Sequence, residues 1–311
     1  MKSYIRLFSD VHLNCCVPLT NTKRAIQDRA VGDDLSDVFW TPVELPTDKD
    51  TTLVLAGDIW EADKSFSFNG WSWMAEMSKR FKAVVFCLGN HDYWSANFDK
   101  IHRKIAAHIA DQKLLNVFCL NNSSVELDGV RYIGGTLWTD LRRGDPLTVL
   151  GAPSVMSDFK YIRAGSDYSK FSTTHWLDAH RATKNYIFEA LGTSPQQPTI
   201  VVTHHLPTYR CISPEFKHGP YGSYYASDLD ALIYDASVGT GLLAWFHGHT
   251  HDNCHVTDLG APIIANPFGY LTTQSQLDSG IAQNQKFDIY SRYEVVADGD
   301  RHRLQKCSQP S

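Results

Sequence analysis

Five short apolar runs, each followed by residues that can bind a metal ion, constrain the fold of this chain more than any other feature. They span residues 3–10, 51–58, 82–90, 199–205 and 241–249. Continuous apolar runs are typical of strands buried on both faces, as in the sheets of α/β proteins. Such sheets bind their ligands at the carboxyl ends of the strands. We therefore predict a layered α/β fold with a functional site along one edge of its strands.

Residues 95–112 show a clear helical pattern between these runs. Isoleucines recur there at four-residue spacing, which predicts a helix with one buried face. Ser95 is a candidate N-cap for this helix. His102 and His108 are expected on its solvent-exposed face.

Two further segments have distinct local patterns. Residues 173–192 predict a helix that ends at Gly192, because glycine commonly terminates helices. Residues 123–140 alternate between apolar and polar side chains around the dipeptide Asp128-Gly129, which indicates a β-hairpin. These segments and the five runs predict strands interspersed with helices along one domain, residues 1–311.

Residues 15–50 and 139–172 follow neither a strand nor a helix pattern. Both fall between predicted strand ends, so they would project from the same edge of the sheet. Loops longer than about 15 residues are usually functional or disordered. We therefore predict that these two segments are lids over the functional site, with an ordinary surface excursion as the alternative.

Composition limits the classes of partner and the cellular location. The net charge of −5 disfavours a protein that lives on a nucleic-acid backbone, although metal ions could neutralise phosphates locally. Seven cysteines without a CxxC motif predict reduced thiols rather than a disulfide framework. Neither a secretory apolar segment nor a membrane-spanning run is visible, so we expect a cytoplasmic protein with no membrane contact. The oligomeric state is left open.

The stretch FHGHTHDN, residues 246–253, places three histidines at alternate positions. On a strand, His247, His249 and His251 would all point to one face. Alternatively, Gly248 allows a sharp turn that directs the last two at different targets. In either arrangement crowded imidazoles would repel one another when protonated, so a metal ion is expected to hold them neutral.

The polar residues that follow the five runs form one set of candidate ligands and catalytic groups. They are Asp10, His12, Asp58, Asn90, His91, His204, His205, His249 and His251. Imidazoles, carboxylates and one amide oxygen suit Mn, Fe or Zn better than Mg or Ca. Two divalent ions about 3.5–4 Å apart, bridged by a carboxylate, would lower the pKa of a bound water from about 15.7 toward about 7. No nucleophilic Ser or Cys motif is present, which favours direct attack by water.

The motifs in this order resemble the calcineurin-like metallophosphoesterase superfamily. The pattern runs Asp-x-His, Gly-Asp, Gly-Asn-His-Asp, a later His and Gly-His-x-His, over residues 10–251. The stretches 156–163 and 265–270 also resemble a bacterial subgroup of uncharacterised phosphoesterases. The resemblance implies a four-layer α-β-β-α sandwich with two divalent metal ions at the carboxyl ends of the strands.

The resemblance also implies seven metal ligands in two sets that share one carboxylate. One ion would take Asp10, His12 and His251, the other would take Asn90, His204 and His249, and Asp58 would bridge the two.

His91 is implied to bind no metal and to act on the substrate, either by contacting the phosphate or by protonating the leaving oxygen. Glu61 occupies the position where the protein-phosphatase branch has the carboxylate that pairs with this histidine, and Asp92 is the other candidate to orient it. His205 could contact substrate or cap a turn. His247 is expected in the core or behind the ligands.

The function implied is metal-dependent phosphoester hydrolysis by a hydroxide that bridges the metals. We expect a phosphodiesterase or broad-range phosphatase that acts on small molecules. A nuclease and a non-catalytic scaffold with the same fold are the alternatives. A scaffold would be free to lose its ligands and His91, and all of these are present.

Overall fold

The computed structural model describes residues 3–14, 40–66, 70–214, 216, 219, 221–271, 283–299 and 301–308. Within these residues the strands form two six-stranded sheets and one two-stranded ribbon. They are β1 Ser3–Phe8, β2 Thr51–Ala56, β3 Ala83–Cys87, β4 Val117–Leu120, β5 Ser123–Leu127, β6 Val130–Gly135, β7 Arg163–Ala164, β8 Ser169–Lys170, β9 Thr199–Thr203, β10 Leu242–His247, β11 Cys254–Val256, β12 Ile263–Ala265, β13 Tyr293–Asp298 and β14 Arg301–Lys306.

The first sheet has the order β14-β13-β1-β2-β3-β4, and the second has the order β11-β12-β10-β9-β6-β5. Strands β1 to β4 are parallel to one another, as are β6, β9, β10 and β12 in the second sheet. The antiparallel strands lie at the edges of both sheets. Because the central strands are parallel within each sheet, their carboxyl ends share one edge.

Helices cover the outer faces of the sheets. They are α1 Ala62–Ser65, α2 Gly70–Arg80, α3 Ile101–Asp111, α4 Pro146–Val155, α5 Asp158–Tyr161, α6 Thr173–Thr193 and α7 Asp230–Gly239. Single 3-10 turns occur at Asp48–Asp50, His91–Tyr93, Tyr209–Cys211 and Gly222–Tyr224, and a left-handed turn occurs at Leu141–Gly144. No helix among these is long and apolar enough to cross a membrane.

Alternating side chains of the central strands separate three cores. In β2, Leu55 packs in a core with Met77 of α2, whereas Val54 faces the space between the sheets. In β9, Val201 packs with residues of α6 and α7, whereas Val202 faces the other sheet. The layers therefore follow the order α-β-β-α, which confirms the expected fold.

The helix predicted over 95–112 begins later than expected, at Ile101. Ser95 is not its N-cap, because the Ser95 N–H donates to the Tyr161 carbonyl and Ser95 itself has a φ of 64°.

The expectation that His102 faces solvent is also wrong. Its Nε2 lies 2.7 Å from the Tyr93 Oη, and burial lowers the pKa of His102 to about 4. His108 is half-buried, with its ring centroid 4.6 Å from that of Trp71.

The two other elements predicted from local patterns form. The helix predicted to end at Gly192 begins at Thr173, where the Ser172 side chain caps its first turn, but it continues through Gly192 to Thr193. β5 and β6 form the expected hairpin, in which Asp128 and Gly129 have φ angles of 53° and 76°.

The segments predicted as lids are described to different extents. Of residues 15–50, the structure describes only 40–50, where Trp40 packs against Phe8 and Phe268; residues 15–39 lie outside the described part. Residues 139–172 contain α4, α5 and the β7–β8 ribbon, so this segment is folded and not an extended loop. Their role as lids stays a prediction.

Residues 40–50 are held to β1 by a buried charge network. The Arg6 side chain is fully buried and donates from its NH1 to Asp48 at 3.0 Å and to the Val43 carbonyl at 2.8 Å. Arg80 Nε donates to the same Asp48 carboxylate at 2.7 Å. The carboxylate therefore compensates two guanidinium groups, one of them out of contact with water.

We expect Asp48→Ala to lower the free energy of unfolding by about 3–5 kcal/mol, because the variant leaves Arg6 buried without its counter-charge. The measurement is urea unfolding followed by circular dichroism. Asp50→Ala is the matched control, since Asp50 lies in the same turn but is exposed. A loss for Asp48→Ala no larger than that of the control would contradict this account.

Candidate active site

All five predicted strands form, and each ends one to three residues before the first candidate ligand that follows it. The ligands therefore lie in the loops after β1, β2, β3, β9 and β10. The stretch 246–253 follows the same rule. β10 ends at His247, and His249 and His251 have φ angles of 80° and 51°. The turn interpretation of this stretch is therefore correct, and the three histidines do not share one strand face.

Five of the seven candidate metal ligands have a strained backbone conformation. Asp10, His12, Asp58, His249 and His251 all have positive φ, between 44° and 80°. Such conformations cost non-glycine residues about 1–3 kcal/mol each and persist where the surrounding structure enforces them. These conformations direct the side chains of the five residues toward the same region of the structure.

Two glycines allow the loops to approach one another this closely. A Cβ on Gly89 would overlap the Asp58 carboxylate, and a Cβ on Gly248 would lie 2.5 Å from Asp10 Oδ2. Neither position has room for a side chain without displacing a candidate ligand. The glycines of the Gly-Asn-His-Asp and Gly-His-x-His motifs therefore have a steric role.

The first set of donors comprises Asp10, His12 and His251. His12 Nε2 lies 3.0 Å from His251 Nε2, and His251 Nε2 lies 3.4 Å from Asp10 Oδ1. All three side chains offer donor atoms within 4.8 Å of one another. Asp58 Oδ2 lies 3.7 Å from His12 Nε2 and so borders this set.

The second set comprises Asp58, Asn90, His204 and His249. His204 Nε2 lies 3.1 Å from Asn90 Oδ1, 3.2 Å from His249 Nδ1 and 3.3 Å from Asp58 Oδ2. The same Asp58 oxygen thus borders both sets. The structure brings together all seven predicted ligands in the two predicted groups.

The donor atoms fit divalent metal ions. Two imidazole nitrogens approach to 3.0 Å in the first set and to 3.2 Å in the second, with carboxylate oxygens beside them. Ligands about 2.0–2.2 Å from a shared ion would lie about 3 Å from one another. Nitrogen and oxygen donors in this mixture suit first-row transition metals.

Hydrogen bonds behind the ligands orient two of the imidazoles. His204 Nδ1 lies 2.9 Å from the Ala56 carbonyl, and His251 Nδ1 lies 2.9 Å from Gln283 Oε1. Because these oxygens accept, each Nδ1 donates its hydrogen and Nε2 is the atom turned toward the site. Such outer partners commonly fix the tautomer of metal-binding histidines.

The charges of the two sets are coupled. Burial lowers the pKa of His12 to about 3, which keeps that imidazole neutral. Burial also opposes protonation of His204, but the neighbouring Asp58 carboxylate raises its pKa to about 9. The same contact holds the pKa of Asp58 well below its usual range despite burial. A metal ion in the second set would therefore have to displace a proton from His204.

His91 lies at the edge of the first set and faces a cavity. Its backbone N–H donates to Asp58 Oδ1 at 2.9 Å, its ring stacks on Trp94 at 3.6 Å between centroids, and its Nε2 lies 3.4 Å from the Tyr270 Oη. A ring nitrogen of His91 is also within 4.8 Å of donor atoms of His12 and Asp58. Its role toward substrate instead of metal stays a prediction.

Neither candidate to orient His91 is placed for that role. Glu61 contacts Ser95 Oγ at 3.0 Å and pairs with Lys64. Both oxygens of Asp92 are occupied by backbone donors: they accept the N–H groups of residues 58, 59, 60 and 89 at 2.6–3.0 Å. Asp92 therefore holds the loop that carries Asp58, because its carboxylate binds the backbone of residues 58–60 and joins it to Gly89 of the neighbouring loop.

His205 and His247 are fully buried. The His205 ring lies between Trp138, at 5.1 Å, and the ring of His249, at 4.3 Å between centroids. Burial lowers the pKa of His205 well below its usual value. His205 therefore packs against a ligand as a neutral ring, and it does not line the cavity described next.

A cavity of about 560 Å³ opens over both donor sets. One wall consists of the site residues Asp58, Asn90, His91, His249 and His251. The other walls are mostly aromatic and apolar, and they include Trp94, Met156, Ile212, Phe216, Tyr221, Tyr225 and Tyr270. Among the described lining residues there is no Lys or Arg. A larger cavity, of about 810 Å³, borders Asp48 and Arg80 and contains none of the candidate ligands.

Three residues near the ligands were not identified as site residues from the sequence. Asp158 is buried, accepts a hydrogen bond from the Trp94 indole at 3.2 Å and lines the cavity; burial raises its pKa. Asp158 and Tyr270 lie in the stretches 156–163 and 265–270, so the resemblance of these stretches was the available signal. Gln283 carries no such signal, since a single amide has no pattern in a sequence.

Comparison with known proteins agrees with this arrangement. A family model for the calcineurin-like phosphoesterases matches residues 4–253. A protein of Acanthamoeba polyphaga mimivirus, named Uncharacterized protein L509, is 25% identical over 286 residues, which cover 86% of this chain and 91% of that protein. The structure of phosphopantetheinyl hydrolase (PptH) from Mycobacterium tuberculosis aligns with a TM-score of 0.58 and 16% identity, over 96% of this chain and 97% of that chain.

The structural likeness shows a shared fold, and the family model carries the assignment because it covers most of the chain and all the candidate ligands. Members of this family are hydrolases that act on phosphoesters with divalent metal ions. The chain therefore belongs to the calcineurin-like phosphoesterase family.

Proposed function

We propose that the protein hydrolyses phosphoesters of small molecules, as a phosphodiesterase or a broad-range phosphatase that uses two divalent ions of Mn, Fe or Zn. One observation carries this proposal. Two donor sets that share Asp58 meet at the base of a cavity whose other walls are aromatic and apolar. The expectation of a cytoplasmic location stays a prediction.

In this proposal Asp10, His12 and His251 hold one ion, Asn90, His204 and His249 hold the other, and Asp58 contacts both. When bound, such ions supply a hydroxide nucleophile at neutral pH and offset the negative charge of the phosphate. The chain supplies positioning, because Asp92 accepts a hydrogen bond from the Asp58 backbone and Gln283 accepts one from His251 Nδ1.

His91 has its own part in the proposed reaction. Its backbone N–H donates to Asp58 and its ring stacks on Trp94. These contacts hold the residue so that Nε2 lies near the Tyr270 hydroxyl at the cavity. From there it would donate a hydrogen bond to the phosphate or a proton to the leaving oxygen.

The walls of the cavity support a small substrate. A bound polynucleotide requires several cations along its backbone, and the described lining residues include no Lys or Arg. Aromatic rings instead favour an uncharged, flat or apolar group next to the phosphate. Residues 155–158, within the segment 139–172, contribute to these walls, which supports a role of that segment in specificity.

The test compares two substrates that release the same p-nitrophenolate, namely bis-p-nitrophenyl phosphate and methyl p-nitrophenyl phosphate. We expect the metal-loaded protein to prefer the first. In Tyr221→Ala we expect kcat/KM to fall about 2–10-fold for the first substrate only, because a ring contact is worth about 0.5–1.5 kcal/mol. Tyr234→Ala is the matched control, since both tyrosines are 53% exposed and Tyr234 lies on α7 outside the cavity.

A screen of p-nitrophenyl phosphate, nucleotides and single-stranded DNA completes the experiment. We expect turnover of small esters and little cleavage of DNA. Efficient cleavage of DNA with poor turnover of every small ester would establish the nuclease alternative. A metal-loaded protein that turns over none of these compounds would support the non-catalytic scaffold.

A further inference from the structure

A second cluster of metal-binding side chains lies outside the two donor sets. Cys211, His247 and Cys254 offer ligand atoms that all lie within 4.8 Å of one another. The three residues are 6%, 0% and 8% exposed, respectively. Cys211 ends the turn Tyr209–Cys211, His247 ends β10 and Cys254 begins β11, so three separate elements bring the donors together.

The hydrogen bonding of His247 leaves one of its ring nitrogens without a partner among the described residues. His247 Nδ1 lies 3.0 Å from the Gly248 carbonyl oxygen. A carbonyl only accepts, so Nδ1 carries the hydrogen and Nε2 carries a lone pair. His247 Nε2 is buried and has no hydrogen-bond partner within the described part of the chain. A histidine whose Nδ1 donates to a backbone carbonyl while Nε2 is free has the arrangement found at metal sites.

The two sulfur atoms are also available to bind a metal ion. The five described cysteines are free, so neither sulfur is consumed in a disulfide. Contact with the Cys211 thiol lowers the pKa of Cys254, while the same contact and burial raise the pKa of Cys211. Thiolates, not thiols, bind metals. The Cys254 thiol donates to the Ile263 carbonyl at 3.9 Å, so both thiols would lose their protons when they bind a metal ion.

We propose that Cys211, His247 and Cys254 bind a third metal ion, Zn²⁺, separate from the two ions of the active site. Two thiolates and one imidazole are softer donors than the carboxylate-containing sets, and they suit zinc. On binding, His247 Nε2 and both sulfurs would each donate an electron pair to the ion, and the two thiol protons would be released to solvent. The fourth tetrahedral position is left for a water molecule.

The position of this site relative to the active site indicates what the ion does. His247 immediately precedes the loop that contains His249 and His251, and Cys254 follows it. The ion would hold the two ends of this loop together and connect them to Cys211. The next residue, Ile212, lines the cavity over the donor sets. The third ion is therefore a structural support for the ligand loop. This inference stands on the cluster itself and does not depend on the proposed substrate.

Cobalt(II) substitution tests the proposal directly, because thiolate ligands produce an intense charge-transfer absorption band that carboxylate and imidazole ligands do not. We expect this band when Co²⁺ is added to the chelator-treated, reduced full-length protein. A second portion of the chelator-treated protein, reconstituted with Zn²⁺ instead, should hold three zinc equivalents per chain. Absence of the thiolate band in the wild-type protein would overturn the proposal without any variant.

Variants then locate the site. Cys211→Ser and Cys254→Ser should lose the band and one zinc equivalent, whereas Cys119→Ser, which alters a cysteine outside the cluster, should keep both. Asp58→Asn should keep the band while it weakens the active-site ions, so failure of this site and failure of the proposed function are distinguishable. A band that persists in both cluster variants, or a native mass that is 2 Da lower through a Cys211–Cys254 disulfide with no thiolate band, would refute the zinc site.

Discussion

Replacement of Asp58 with Asn is expected to lower kcat by about 10³–10⁵-fold, since stabilisation of charge by a metal ion is worth several kcal/mol and each 1.36 kcal/mol changes a rate tenfold. The effect is large because one oxygen, Asp58 Oδ2, lies beside both His12 and His204. Asn has the same shape but no negative charge, so the variant weakens both proposed metal sites at once.

Metal analysis of the manganese-reconstituted protein accompanies the rate measurement. Wild-type protein should hold close to two Mn²⁺ per chain at the active site, and Asp58→Asn should hold less than one. Asp63→Asn is the matched control, because Asp63 is a partly exposed carboxylate that pairs with Lys104 at the surface, away from the candidate ligands. If Asp58→Asn retained two manganese ions and full activity, the shared-carboxylate arrangement would be incorrect.

The second large effect is expected for His91→Ala. A general acid or a donor to the transition-state oxygens contributes about 10²–10⁴ to a rate. We expect a loss of this size in kcat for an alkyl phosphoester, which has a poor leaving group, with both manganese ions retained. His302→Ala is the control, since His302 is exposed on β14.

The leaving group separates the two roles considered for His91. If the imidazole protonates the leaving oxygen, the loss should be smaller for p-nitrophenyl esters, because p-nitrophenolate leaves with little help from a proton. An equal loss on both substrates would indicate phosphate binding.

Metal content tests the third possibility, that His91 is a ligand. The ring nitrogen of His91 lies close enough to His12 and Asp58 for this. Loss of one manganese ion from His91→Ala would therefore show that the assignment to substrate is wrong, and undiminished activity on every substrate would remove His91 from the mechanism.

The architecture could be predicted because buried parallel strands require continuous apolar runs, which are recognisable in the sequence. The runs that became β1, β2, β3, β9 and β10 are apolar on both faces, since each strand contacts another layer on either side. The ligands follow these runs directly in the sequence. Their order along the chain, together with the resemblance of the motifs, was enough to predict the layers and both ligand sets.

Predictions from local patterns were wrong where contacts with another part of the chain determine the structure. The residues before α3 read as the first turn of a helix, but Phe98 N–H donates to the Arg163 carbonyl and Ser95 N–H donates to the Tyr161 carbonyl. Those bonds hold residues 95–98 out of the helix. His102 likewise reads as a surface residue, yet it is covered by Tyr93, which is nine positions away along the chain.

By itself the sequence determined the α/β class, the edge at which the candidate site lies and the residue types that meet there, because hydrophobic periodicity and motif order are properties of the chain. The resemblance of the motifs implied the layer order. Only the tertiary structure decided which atom of each imidazole faces the site, that Asp92 supports the Asp58 loop instead of His91, and that Asp158, Tyr270 and Gln283 join the site. Those features depend on hydrogen bonds between loops far apart in the sequence. Spacing along a chain does not encode such contacts, since they exist only after the two sheets have packed together.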